Sequence, residues 1–181
     1  MSGSVTRLAL ISHAMTEAMR AARFPVDEPI ERPAAAPPPP RADLALVGPE
    51  ARTAQTAALW ELPVTVEPAL RDLDCGRWAG RSMDSLAPAE LMAWLSDPGY
   101  REHGGESIID LIHRVRMWLD DHLRDGRRIL AITHPAVVRA SVLVALAAPP
   151  ESFWRIDIAP LGVTTLHGRG STWTLRPSAS M

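Results

Sequence analysis

The chain contains no lysine, so all 19 of its basic residues are arginine. It has one cysteine, Cys75, which rules out an internal disulfide and fits a reducing cytoplasm. It has no apolar run near the ~18 residues that a membrane span needs. The apolar run at the N-terminus is too short for a signal peptide and is followed by His13. It has no strong charge imbalance either. The net charge of −2 gives no electrostatic case for nucleic acid or an anionic membrane. A soluble, cytoplasmic protein is expected, with no nucleic-acid or membrane partner.

What is present suits one domain over residues 1–181, since 46% of the residues are hydrophobic and enough to form a core. Val5 to Ile11 is almost continuously apolar, as a strand buried on both faces of a parallel sheet is. Thr16 to Arg23 is rich in helix formers, and Phe24-Pro25 closes it. Residues 25–42, with PAAAPPPP at their centre, read as one long proline-rich surface loop. Ala42–Val47 reads as a strand, Pro49–Trp60 as a helix and Pro63–Glu67 as a short strand. Residues 69–80 read as a loop over a crevice, and 85–95 and 107–123 as helices, the second capped by Ser107. A strand at 129–133, a helix at 136–146 and three short strands at 153–158, 163–167 and 172–175 complete the chain. This alternation predicts a three-layer α/β/α sandwich with a mostly parallel sheet.

Two histidines stand directly after predicted strands: His13 after LALIS and His134 after ILAIT. In such folds the C-terminal strand ends open onto the ligand crevice. Arg52, at a predicted helix start, is unfavourably placed unless an anion is near. Asp72 lies in the loop after the third strand. Two imidazoles, a guanidinium and a carboxylate suit a phosphoryl group. A neutral imidazole can attack phosphorus, and a carboxylic acid can protonate the leaving oxygen. The bland alternatives are a strand-end histidine bonded within the core, an exposed helix arginine and a turn carboxylate. His113 and His122 read as structural helix residues, and His103 as a loop residue. No metal site is expected, because the histidines lack a short-spaced ligand motif.

Five segments, in order, resemble the histidine phosphatase superfamily with its phosphoglycerate-mutase-like fold. LISHAMTE at residue 10 is similar to the family's Leu-x-Arg-His-Gly-Glu-Thr, and GPEARTAQTA at 48 to its Ser-Pro-x-x-Arg-Thr-x-x-Thr-Ala. LRDLDCGRWAG at 70 resembles Leu-Arg-Glu-x-x-x-Gly-x-Trp-Glu-Gly. HGGESIIDLIHRV at 103 resembles the Gly-Gly-Glu-Ser segment, and ILAITHPAVVRA at 129 the Val-x-His-Gly element. The resemblance implies His13 as the phosphorylated nucleophile, Arg52 and His134 as donors to the phosphoryl oxygens, and Asp72 as general acid. It implies a substrate contact for Arg23, and it places Glu106 and Ser107 at the start of a helix behind the site, with Glu106 as a second substrate-side residue.

The departures are specific. Ser12, on the edge of the phosphate pocket, replaces the family's arginine and removes a positive charge. Ala14 and Pro135 stand where glycines are usual, and Asp72 is one methylene shorter than glutamate. The expected activity is phosphomonoester hydrolysis of a small phosphorylated molecule, with no cofactor. The alternative, carried by Ser12, is a weak or inactive member that binds an anionic ligand. Phosphomutase activity ranks lower. The oligomeric state is open, a dimer included.

Overall fold

The structure, a computed structural model, describes residues 4–177. Six strands form one sheet: β1 (Thr6–Ser12), β2 (Leu44–Val47), β3 (Thr65–Val66), β4 (Arg128–Thr133), β5 (Val163–Arg169) and β6 (Thr172–Arg176). Their order is β3-β2-β4-β1-β5-β6. The first four are parallel; β5 and β6 add an antiparallel hairpin at the β1 edge. The α/β fold is therefore as expected, with a mixed sheet between helices.

The apolar strands read as continuous because both faces of the sheet are covered. Leu8, Leu10, Leu46, Ile129 and Ala131 point into the larger core. Their neighbours Ala9, Ile11, Val47, Leu130 and Ile132 fill a smaller one on the other face. Helices α4 (Ile108–His122) and α5 (Pro135–Leu146) cover the larger core; α2 (Ala51–Ala58) covers the smaller. Ser107 caps α4 in a reciprocal capping box with Asp110.

Two expectations of local structure fail. Residues 153–158 are no strand: Pro150–Arg155 is a 3₁₀ turn. Pro150 opens it without an N–H to give to a sheet, and Phe153 is buried against the larger core instead of alternating. The helix expected over 16–23 is one turn, α1 (Glu17–Arg20), because Ala22 takes a left-handed φ of 49°. Helix α3 (Pro88–Ser96) begins later than expected, after a 3₁₀ turn at Met83–Ser85. Among the described residues, the only ladder contact made between Pro25 and Ala42 is a bridge from Ile30 to Thr16.

Trp78 is fully buried in an aromatic cluster, with ring centroids 5.3 Å from Phe24, 5.9 Å from Trp94, 5.6 Å from Tyr100 and 4.9 Å from His103. Trp78→Ala should cost about 3–5 kcal/mol in urea unfolding. Trp78→Phe should cost much less, because the indole N–H has no partner among the described residues. Equal losses would show that the cluster is not packed as described.

Candidate active site

The β1–β4 register sets Ser12 opposite Thr133, so His13 and His134 leave the sheet side by side. The His13 amide donates to the Thr133 carbonyl at 2.9 Å, and the two rings lie 5.2 Å apart at 66°. Both are buried. α5 starts directly at His134, and α2 starts at Glu50 after β2. Two helix N-termini thus face the strand ends, with partial positive charge where an anion would sit.

His13 Nδ1 lies 2.7 Å from the Ala14 carbonyl oxygen. A carbonyl only accepts, so Nδ1 carries the hydrogen, and the lone pair of the neutral ring is on Nε2. Burial, then the charges of His134 and Arg52, push the His13 pKa down from 6.5 to about 4. The ring is neutral at physiological pH.

Arg52 is buried on the first turn of α2 and uses every arm. Nη2 donates to Asp72 Oδ2 at 2.6 Å, Nη1 to the Val26 carbonyl at 2.8 Å, and Nε to His134 Nδ1 at 3.3 Å. Asp72 Oδ2 is also 3.4 Å from His134 Nδ1. Burial works to raise the Asp72 pKa, but His134, Arg52 and His13 together outweigh it and hold the carboxyl below its ordinary value. Asp72 is held in place from behind. Arg114 grips Glu106 with two nitrogens, at 2.9 and 2.7 Å, and donates to the Ala69 and Arg71 carbonyls at 2.7 and 3.1 Å. Thr133 Oγ1 ties down Leu70 O at 2.8 Å.

The structure therefore gathers His13, Arg52, Asp72 and His134 into one cluster. Arg23 lines the same cavity as His13, Arg52 and Asp72, with its guanidinium paired to Glu17 at 3.1 Å. Glu106 does not line that cavity; its carboxylate is taken up by Arg114. Ser12 is fully buried, and its hydroxyl has no partner among the described residues.

Glu50 escaped the sequence reading. Its Oε2 accepts from His134 Nε2 at 2.7 Å, and its Oε1 accepts the Asp72 amide at 2.9 Å. Burial raises its pKa, but the bond to His134 leads the opposing effects and the net shift is downward. Glu50 is the N-cap residue of α2, but its carboxylate makes no cap bond and turns to the site instead. Gly48 leaves room for this pair. A Cβ there would lie 2.8 Å from the Leu70 oxygen and 3.1 Å from both Glu50 Oε2 and His134 Nε2. Glu50→Ala should destabilise the fold by about 1.5–3 kcal/mol, since the Asp72 amide and the His134 N–H lose a charged acceptor. Urea unfolding of Glu50→Ala beside Glu50→Gln reads this; an unchanged midpoint for the alanine variant would refute it.

The family model of the histidine phosphatase superfamily (branch 1) matches residues 34–179. The chain belongs to the histidine phosphatase superfamily. The match takes in Arg52, Asp72 and His134 and begins after His13. A protein of Mycobacterium tuberculosis described as bifunctional is 30% identical over 128 residues, 66% of this chain and 35% of that protein. The glucosyl-3-phosphoglycerate phosphatase of Mycolicibacterium vanbaalenii is 27% identical over 103 residues, 50% of this chain and 46% of that protein. The chain thus spans between a third and a half of these curated relatives. Among solved structures, a phosphoserine phosphatase of Entamoeba histolytica superposes with a TM-score of 0.81 at 19% identity, covering 95% of each chain. The α-ribazole phosphatase of Shigella flexneri gives 0.78 at 23% identity and 94% of each chain. These likenesses show a shared fold over nearly the whole chain.

Proposed function

We propose that the chain is a phosphomonoester hydrolase acting through a phosphohistidine on His13, within a single domain. The observation that carries the reading is the state of His13. A backbone carbonyl holds Nδ1–H, burial keeps the ring neutral, and Nε2 is left as the nucleophile beside Arg52 and Asp72.

In this reading Nε2 attacks phosphorus and the bond to the leaving oxygen breaks. Asp72 gives its proton to that oxygen. Water then attacks phosphorus, the P–N bond breaks, and Asp72 takes the proton back from the water. Ester and water become alcohol and phosphate, and His13 returns neutral. Arg52 holds the phosphoryl oxygens once it is released from Asp72; His134 joins it with a hydrogen on Nδ1, the atom that accepts from Arg52 Nε in the free site, and both N-termini add to the pull. Asp72 must be protonated when the leaving group departs. Its ion pair with Arg52 opposes that in the free site. A bound phosphoryl group that takes over the guanidinium relieves the opposition. The substrate is proposed to be a small phosphorylated molecule, and the reaction as written calls on no metal or cofactor. Among the described residues no helix is long and apolar enough to cross a membrane; the cytoplasm is the proposed compartment.

A second reading, a non-catalytic anion binder, has its own support. Ser12 supplies no charge, and all three arms of Arg52 are already engaged within the protein. Hydrolysis of a generic aryl phosphate from about pH 4 to pH 8 separates the two. The hydrolase reading expects turnover with an optimum below neutrality. A folded protein that binds vanadate without turnover supports the second reading.

A further inference from the structure

Beside His13 lies a cavity of about 290 Å³, and most of it is apolar. Met19, Phe24, Met83, Trp94 and Ile158 form its walls, and His13, Arg52 and Asp72 close one side. The volume suits a compact ligand. The walls offer few hydrogen-bond partners, and hydroxyls buried there without partners would be costly. A sugar is therefore a poor occupant, and an aromatic or aliphatic body a good one.

Three guanidinium groups line this cavity: Arg23, Arg52 and Arg139. Arg52 is committed to Asp72, His134 and Val26, and Arg23 pairs through one nitrogen with the exposed Glu17. Arg139 differs. It projects from α5, the helix that begins at His134, and is half-buried. Its Nε donates to the Ile156 carbonyl at 2.7 Å, and its guanidinium lies 5.7 Å from the Phe153 ring centroid and 5.5 Å from that of Trp154. These contacts fix the plane of the fork. Neither of its NH₂ groups has a hydrogen-bond partner among the described residues. A half-buried cation with free, oriented donors matches a planar carboxylate.

We propose that Arg139 is a specificity residue, and that the site takes phosphomonoesters whose leaving group is a compact apolar body bearing a carboxylate. The phosphoryl end of such a ligand rests on the hydrolase reading above. The carboxylate end does not, so the two are tested separately. Benzenephosphonate and its meta- and para-carboxyl derivatives are titrated calorimetrically into wild type, Arg139→Gln and Arg139→Lys. Phenyl phosphate and its two carboxyl derivatives are assayed for hydrolysis in parallel. The carboxyl group should tighten wild-type binding of one isomer at least about tenfold. Arg139→Gln should cancel that gain and Arg139→Lys should keep only part of it, since lysine lacks the fork. The wild-type comparison stands even where a variant folds poorly. A wild type that gains nothing from either carboxyl, or a gain that survives Arg139→Gln, overturns the proposal. A gain without hydrolysis keeps the carboxylate site and removes the hydrolase reading. Hydrolysis without a gain does the reverse, and the absence of both phosphonate binding and hydrolysis overturns the two together.

Discussion

His13→Ala should lower turnover of an aryl phosphate by at least about 10³-fold, with no rescue at any pH. The size follows from the role. A nucleophile is not replaced by its neighbours, and His134 is committed at both nitrogens, to Glu50 and to Arg52. Residual activity within tenfold of wild type would mean that the phosphoryl group never passes through His13. The same variant should change acid stability. The unfolded chain protonates His13 near pH 6.5, while the folded protein resists until about 4. Between these values the unfolded state binds more protons, so stability falls as pH falls through this window. The loss attributable to His13 reaches about 3 kcal/mol near the lower end and is absent above the upper. Removing the ring removes that slope. Urea unfolding of both proteins at about pH 7 and about pH 4.5 should show a smaller acid loss in the variant. An equal loss would contradict the depressed pKa.

Arg52→Ala should cut turnover by about 10²–10³-fold and destabilise the fold by about 3–5 kcal/mol. Both effects have one cause. Arg52 is the buried positive charge between Asp72 and His134, and its removal leaves the Asp72 carboxylate buried without its partner. Arg52→Lys should recover part of the stability and little of the activity, because an ammonium cannot serve Asp72, Val26 and a phosphoryl oxygen from one plane. There is also a signature in pH. Arg52 is among the charges that hold the Asp72 pKa down, so its loss should move the alkaline limb of the rate profile upward. Assays run well below the melting temperature of each variant keep the two effects apart. A fold as stable as wild type with normal turnover would place Arg52 outside the site.

The sequence carried the sheet because every central strand is buried on two faces, and burial of that kind leaves an unbroken apolar run. It carried His13 and His134 because each follows a strand directly, and Arg52 and Asp72 because they stand in the segments that follow the next two strands. It could not carry what depends on register. That His13 and His134 are neighbours follows from Ser12 facing Thr133, which neither run specifies alone. Residues 153–158 read as a strand because their aromatic and β-branched residues suit one, while Pro150 and the burial of Phe153 decide for a turn. Glu50 was invisible as a partner because its contacts lie 22 and 84 residues away. The proline-rich loop over 25–42 reads as surface, yet its first residues supply the Val26 carbonyl to Arg52 and the Asp27 carboxylate to the Ala51 amide at 2.8 Å. Backbone acceptors leave no trace in composition. Ser12 was legible as a departure; that its hydroxyl would be buried with no partner among the described residues was not.

The phosphohistidine on His13 can be trapped. The protein is mixed with an aryl phosphate, quenched within milliseconds in base, digested and read by mass spectrometry. One added phosphoryl group is expected on the peptide containing His13, stable in base, lost in acid, and absent from His13→Ala. Turnover with no such adduct, or an adduct on another residue, would contradict it.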